Sequence, residues 1–389
     1  MAFNRLDDGV MSVEPGSVPL ITPVRDELKL LPAFLRHYRK MGVRDFIFID
    51  NNSTDGTTDY LRAQPDCFVF HTDESYRDSH FARDWINRVI VEHGICGWLI
   101  YVDVDEHLVY PDMERTDIAG YCARLADGGF DCVNAVMVDM YPEGSFLDLT
   151  FGPDDDLADV MGWFDADYIF RNWPRRAWDR AAPFNLQILG GPRCRLLSDI
   201  ESERRHGALF YTLANQVDRI VDRIPLGMMP LLARFAPREM PALQKRPINF
   251  VREGFGYLNS HAGTNAACAN DMTALLHYKF CSELQRRFDM RKEGNHYRRG
   301  LSYLQLEQAL ADWPSHTLRY DNSRLYRSSA DLAEIGLIGP AISVLWRNDH
   351  PDAMRTSPGG PRPITTTAPH KTSNAFHGMR TSNSGPRPY

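Results

Sequence analysis

Trp98-Leu99-Ile100-Tyr101-Val102-Asp103-Val104-Asp105-Glu106 is the stretch on which the reading of this 389-residue chain turns. The unbroken apolar run from Trp98 to Val102 predicts a short buried strand, and it leads without a spacer into three acids. Two carboxylates separated by one residue, at the end of a buried strand, concentrate negative charge in a cleft. Carboxylates that close raise each other's pKa unless a cation lies between them. A hard divalent ion, Mg²⁺ or Mn²⁺, is the natural neutraliser, and such ions bring phosphate oxygens as further ligands. The plainer alternative is that Asp103 and Asp105 cap the following turn and face solvent, and a DxD pattern alone is too short to decide between the two.

The sequence upstream supplies the context. Pro19 to Val24 is a short apolar run, read as a first strand. Leu28, Leu31, Phe34, Leu35 and Tyr38 recur at helical spacing, and Gly42 follows as a stop signal. Phe46 to Ile49 predicts a buried strand ending in Asp50-Asn51-Asn52-Ser53-Thr54-Asp55-Gly56, and Cys67 to Phe70 a third strand. Ser79 is placed as the cap of a helix whose apolar face carries Phe81, Trp85, Ile86, Val89 and Ile90, with Gly94 near its end. After the acidic cluster come another helix and the strand Cys132 to Met140. Strands alternating with helices imply a mostly parallel α/β sheet, in which ligands bind beyond the carboxyl ends of the strands. Both acidic clusters fall at such ends.

Composition narrows the function classes. With 43% hydrophobic and 24% charged residues the chain matches a soluble globular protein. A net charge of -7 argues against nucleic acid as a partner and against general affinity for anionic lipid. Met1 to Gly16 holds acids and glycines where a signal peptide would need a basic start and an apolar run, and no apolar stretch is long enough to span a bilayer. The seven scattered cysteines form no CxxC pair, which fits reduced core thiols and a cytoplasmic protein.

Three motifs taken together, Val24-Arg25-Asp26-Glu27, Asp50 to Thr57 and Trp98 to Glu106, resemble glycosyltransferase family 2, and specifically its bacterial subgroup related to the DUF23 and family 92 enzymes. The run His80 to Gly94, with Trp85, Asn87 and His93-Gly94, is similar to that subgroup as well. The resemblance implies a GT-A fold (a Rossmann-like, mostly parallel sheet flanked by helices) with a helical C-terminal extension. It also implies a UDP- or GDP-sugar donor, a glycan or lipid-linked acceptor, Mn²⁺ or Mg²⁺, and inversion at the anomeric carbon. On this reading Asp103 and Asp105 hold the metal on the donor diphosphate, and Asp50 contacts the base or ribose. For Asp50 the alternative is an acid closing its own turn, and for Asn52 and Asp55 the turn is preferred. Val24, Arg25 and Glu27 would line the donor site, or Arg25 and Glu27 would pair at the helix start.

Leu275-Leu276-His277-Tyr278-Lys279-Phe280 reads as a buried segment delivering His277 inward. The resemblance makes His277 a third metal ligand and Lys279 a partner of the diphosphate, with Lys245 and His261 weaker candidates of the same kind. A catalytic base has to come from the acceptor half, where Glu143, Asp165 and Asp167 are the candidates. Gly190-Gly191-Pro192-Arg193 predicts a tight turn with a cation behind it. The Gln-x-x-Arg-Trp signature of many processive family members is missing, which argues against a polysaccharide synthase. Arg204 to Arg234 mixes arginines with apolar residues. It reads as an amphipathic helix on the sheet, with a peripheral membrane contact as the alternative.

The expected organisation is a lead (1–18), a GT-A domain (19–295, with a donor half 19–140 and an acceptor half 141–295), a helical extension (296–348) and a disordered tail (349–389). The tail repeats Met-Arg-Thr-Ser at 354 and at 379 and is too poor in apolar residues to build a core. Two other classes compete with the transferase. A nucleotidyltransferase would carry a Gly-rich, basic phosphate loop after the first strand, where this chain has Val-Arg-Asp-Glu. A sugar- or nucleotide-binding protein without turnover would need none of the catalytic groups.

Overall fold

The computed structural model describes residues 3–6, 11, 13–14, 16–172, 186–197, 224–235, 243–281, 283–290, 301–311 and 317–340. Most of the Arg204 to Arg234 segment and the whole 349–389 tail lie outside them. In chain order the strands are β1 (Phe3–Arg5), β2 (Leu20–Val24), β3 (Phe46–Asp50), β4 (Cys67–Thr72), β5 (Gly97–Tyr101), β6 (Glu106–Val109), β7 (Cys132–Tyr141) and β8 (Trp163–Asp165). They continue as β9 (Tyr168–Asn172), β10 (Leu186–Gly190), β11 (Gln244–Val251), β12 (Tyr257–Asn259), β13 (Ala262–Gly263), β14 (Cys268–His277), β15 (Ser323–Leu325) and β16 (Gly339–Pro340). The helices used below are α1 (Leu31–Met41), α2 (Thr57–Arg62), α3 (Arg83–Glu92), α4 (Ile118–Asp127), α5 (Leu157–Val160) and α6 (Gly191–Leu197). Four more follow: α7 (Met229–Phe235), α8 (Glu283–Met290), α9 (Leu301–Ala311) and α10 (Ser329–Glu334).

The fold is mixed α/β, with a large, mostly parallel central sheet flanked by helices. Its strands run in the order β1-β4-β3-β2-β5-β11-β7-β14-β16. Strands β4, β3, β2 and β5 are parallel, as are β7 and β14. Strand β11 lies antiparallel between β5 and β7, and β6 runs antiparallel along β14. Period-two alternation explains why β3 reads as solidly apolar, since both faces are covered. Phe46 and Phe48 pack under α1 with Phe34, while Ile47 and Ile49 pack under α3 with Ile86 and Leu99. Helix α1 ends where the glycine signal placed it, at Gly42 with φ 102°, whose N–H bonds the Arg39 carbonyl.

Two helix starts differ from the sequence reading. Helix α1 begins at Leu31, because the chain before it is tied to the loop after β3. Leu28 N donates to Asp55 Oδ2 at 3.0 Å, and Glu27 N to Thr57 Oγ1 at 3.0 Å. Helix α3 begins at Arg83, and Ser79 closes a turn before it: its hydroxyl donates to Tyr76 O at 2.8 Å and accepts from Ala82 N at 3.1 Å. His80, Phe81 and Ala82 all have positive φ (54°, 60° and 65°), a run of left-handed residues that is costly without glycine. All seven cysteines are free. Among the described residues no helix is long and apolar enough to cross a membrane.

Candidate functional site

The strand order reverses between β2 and β5, so the crevice at their carboxyl ends is the topological switch point of the sheet. The acidic cluster stands there. Asp103 follows β5 directly with its side chain 43% exposed, and Glu106 folds back beneath it, accepting from Asp103 N at 2.9 Å. Lys245 arrives on the antiparallel strand β11 and bridges the two carboxylates, with Nζ 3.2 Å from Asp103 Oδ2 and 2.6 Å from Glu106 Oε2. Burial would strip the charge from this lysine, but Asp103 and Glu106 outweigh it and hold the ammonium protonated. Glu106 is itself pushed up to about 7, chiefly by burial, against the pull of Lys245.

Asp105 points the other way. Its Oδ2 lies 3.3 Å from His277 Nε2 at the end of β14, where Tyr278 N also bonds the Asp105 carbonyl at 2.8 Å. Behind the imidazole, His277 Nδ1 is 2.6 Å from Asp139 Oδ1, and Arg193 Nε donates to Asp139 Oδ2 at 2.7 Å. Asp139 and His277 are opposite one another in the parallel pairing of β7 and β14. Burial alone would raise Asp139, yet Arg193 and His277 hold it down at about 2. Burial alone would lower His277, yet Asp105 and Asp139 raise it. The result is a line of alternating charge, Asp105–His277–Asp139–Arg193.

The glycine pair makes this line possible. A Cβ on Gly190 would sit 2.4 Å from the Asp167 carbonyl, and one on Gly191 would sit 2.9 Å from Tyr168 Oη, with Asp139 Oδ2 beyond it at 3.6 Å. Glycine at these positions lets the turn from β10 into α6 pass against Asp167 and Tyr168 at the start of β9, and α6 then carries Arg193 to Asp139. The cation predicted behind that turn is therefore a buried partner of the imidazole's carboxylate.

The remaining sequence candidates divide sharply. The side chain of Asp50 is 1% exposed and accepts from Thr58 Oγ1 at 2.7 Å and from Ser53 N and Oγ. With His71 Nδ1 also 3.5 Å away, Asp50 closes its own turn, the alternative role weighed for it. Asn52, with φ 60°, is the exposed left-handed residue of the same turn. Val24 is buried, and its carbonyl accepts from Asn51 N. Arg25 lies 3.9 Å from Asp26, and Glu27 lies 3.8 Å from Arg286 of α8. Lys279 leaves the line of His277 and stacks on Tyr303 of α9, with Nζ 3.1 Å from its hydroxyl.

The acceptor-side acids are all engaged elsewhere. Glu143 is a surface group, 72% exposed and paired with Arg319. Asp165 is buried and holds Arg195 at 3.1 Å and the Tyr141 hydroxyl at 2.6 Å. Asp167 is exposed and accepts from Tyr320 and Asn322. None of the three is an uncommitted base aimed at the strand end.

Burial first and the Asp103 carboxylate second hold the phenols of Tyr76 and Tyr101 well above their usual value. Lys245 Nζ also lies 5.1 Å from the Tyr101 ring centre. The sequence reading missed Asp139 and the role of Glu106. The one available signal for Asp139 was an acid inside the apolar run Ala135-Val136-Met137-Val138-Asp139-Met140, which folding would bury.

Neither protein-family models nor curated protein sequences match this chain. Solved structures do. One is described as a glucose-1-phosphate thymidylyltransferase from Bacillus anthracis, at 7% identity, with 34% of this chain and 61% of that chain covered and a TM-score of 0.21. This chain therefore matches less than two thirds of that protein's length. Others are a UDP-glucose pyrophosphorylase complexed with UDP-glucose (9%; 45% and 75%; 0.22) and one from Acinetobacter baumanii (10%; 46% and 77%; 0.22). Likeness at this level carries no argument about activity.

Proposed function

We propose that this chain is a glycosyltransferase of the family 2 type, transferring a sugar from a UDP- or GDP-sugar to a glycan or lipid-linked acceptor with inversion. The observation that carries the reading is the carboxylate–imidazole pair Asp105–His277, oriented from behind by Asp139, next to the half-exposed Asp103 at the switch point. Asp105 and Asp139 hold the protons on the two nitrogens of His277; with the Nε2 proton displaced, that nitrogen beside Asp105 and Asp103 would give the donor set of a divalent metal site, with Asp139 as its outer support. As the side chains stand, Asp103 leans on Lys245 and Asp105 on His277, and among the described residues no three such groups already converge on one point. Asp103, Asp105 and His277 would hold Mn²⁺ or Mg²⁺, which when bound would neutralise the diphosphate of the donor.

The chain's own groups have separate tasks. Lys245 and Glu106 keep Asp103 in place at the strand end. Asp139 fixes the ring of His277, and Arg193 fixes Asp139. The nucleotidyltransferase alternative lacks support at the first strand end, where residues 25–28 are laced to the loop after β3 and form no glycine-rich cradle. The test is calorimetric titration of UDP and GDP with and without Mn²⁺, in wild type and in Asp105→Ala. Binding that requires Mn²⁺ in wild type and loses that requirement in the variant is expected. Absence of nucleotide binding under all conditions, or an equal metal effect in both proteins, would overturn the proposal.

A further inference from the structure

None of the seven cysteines is in a disulfide, yet two of them stand side by side. Cys132 opens β7 and Cys268 opens β14, and the parallel register of these strands pairs the two residues directly. Paired residues on neighbouring strands point to one face of the sheet, with their backbones about 4.8 Å apart. That spacing falls inside the roughly 4.4–6.8 Å between Cα atoms that a disulfide spans. No other two cysteines meet in this way. Cys67 is opposite Phe46, Cys122 and Cys194 lie on α4 and α6, and Cys96 and Cys281 lie outside the strands.

The backbone around the pair is tied down. Asp131 N donates to the Ala267 carbonyl at 2.8 Å, while Asn265 Nδ2 donates to the Asp131 carbonyl at 2.8 Å and to the Phe250 carbonyl at 3.0 Å. The two strand starts cannot drift apart without breaking these bonds. Arg246, 8% exposed, donates from Nε to Asn134 Oδ1 at 3.1 Å and from Nη1 to the Asn265 carbonyl at 3.0 Å. Asn134 is two residues beyond Cys132 and so on the same face of β7, which sets a buried guanidinium beside the thiols.

The two sulfurs differ in access. Cys132 is fully buried, whereas Cys268 is half-buried and follows the exposed Ala266 and Ala267. The contact with Cys132 and, against burial, the Arg246 guanidinium hold the Cys268 thiol below its ordinary value. A thiol that is both reachable and lowered is the one that attacks first.

We propose that Cys132 and Cys268 form a dithiol site, which glutathione disulfide or a similar small disulfide oxidises to a cross-strand disulfide. The Cys268 thiolate bonds to one glutathione sulfur, the sulfur–sulfur bond of the oxidant breaks, and one glutathione leaves with the electron pair. Cys132 then attacks the Cys268 sulfur, and the second glutathione leaves. The protons lost by the two protein thiols end on the two glutathiones. Two protein thiols are oxidised and one small disulfide is reduced, so the exchange balances. The new bond clamps the starts of the two strands that carry Asp139 and His277 further along, with the bulge between Cys268 and Met272 enclosed.

The test uses the full chain with Cys96→Ser, since Cys96 is an exposed thiol and its removal from the seven leaves six. The protein is equilibrated in glutathione buffers from reducing to oxidising and quenched in acid. Thiols are counted after denaturation, and non-reducing peptide mapping by mass spectrometry locates the bond. The count is expected to fall by two, with a cross-linked peptide joining residues 132 and 268 and full recovery in dithiothreitol. Adding Cys132→Ala should leave one glutathione trapped on Cys268, whereas adding Cys268→Ser should leave Cys132 an unmodified thiol. Melting curves confirm that each variant is folded. An undiminished thiol count in the most oxidising buffer would overturn the proposal. So would a bond mapped to another pair, or glutathione retained on Cys268 while Cys132 is present.

Discussion

Asp139→Asn is the sharpest probe of the site's architecture. The carboxylate is fully buried between Arg193 Nε at 2.7 Å and His277 Nδ1 at 2.6 Å. Arg193 and His277 hold its pKa down from 3.8 to about 2, a difference worth on the order of 2 kcal/mol of stability. Because the folded value is depressed, that stability is present above pH 3.8 and is lost as pH falls toward 2. Asparagine keeps the shape but not the charge, and it leaves the guanidinium of Arg193, only 12% exposed, without its counter-ion. Breaking a buried pair from one side costs about 3–5 kcal/mol, so the expected loss at pH 7 is about 2–5 kcal/mol. Urea denaturation at pH 7 and again near pH 3 reads it, and the gap between wild type and variant should narrow at the lower pH. If the metal proposal holds, Mn²⁺ affinity should also fall about 10–100-fold, because a supporting carboxylate has been removed. A variant within about 0.5 kcal/mol of wild type at pH 7 would refute the charge line as a stabilising element.

Two more perturbations test neighbouring groups. Lys245→Met should destabilise by about 3–5 kcal/mol by leaving buried Glu106 unpaired, and Lys245→Met with Glu106→Gln should recover most of that in chemical denaturation. Equal stability of single and double variants would show that the pair carries no coupling. His37, stacked 4.4 Å from His107 and held at about 4 by burial, contributes stability above pH 6.5 that is lost as pH falls toward 4. That amounts to about 2 kcal/mol between pH 7 and pH 5. His37→Gln should flatten that part of the pH dependence of unfolding, and an unchanged slope would assign the acid sensitivity elsewhere.

What the sequence could reveal followed from how local each signal was. Strands β2, β3, β4 and β5 were legible because both faces are buried, so their residues are apolar whatever lies alongside. Strand β11 was not, since Gln244-Lys245-Arg246-Pro247 reads as a loop. Lys245 is buried only because Asp103 and Glu106 meet it across 142 and 139 positions of chain, and Arg246 because Asn134 and the Asn265 carbonyl receive it. Pro247 is tolerated at the register shift between Lys245 and Ile248, where the strand is bulged against β7. Asp103, Asp105 and His277 could be picked from motifs, and the structure brings Asp105 and His277 together. Asp139 and Arg193 could not be assigned, because their roles exist only once β7, β14 and α6 have assembled.

The position of β11 also bears on how the protein is made. While the chain is being synthesised, β5 emerges with β2 as a parallel neighbour, but its other edge, beside Asp103, stays bare until residues 244–251 arrive. Over that interval of roughly 140 residues the nascent sheet presents an open, apolar edge and an acid cluster without its lysine, a state prone to wrong pairing. A fragment ending near residue 141 would keep that edge of β5 bare, because β11 is the strand that covers it.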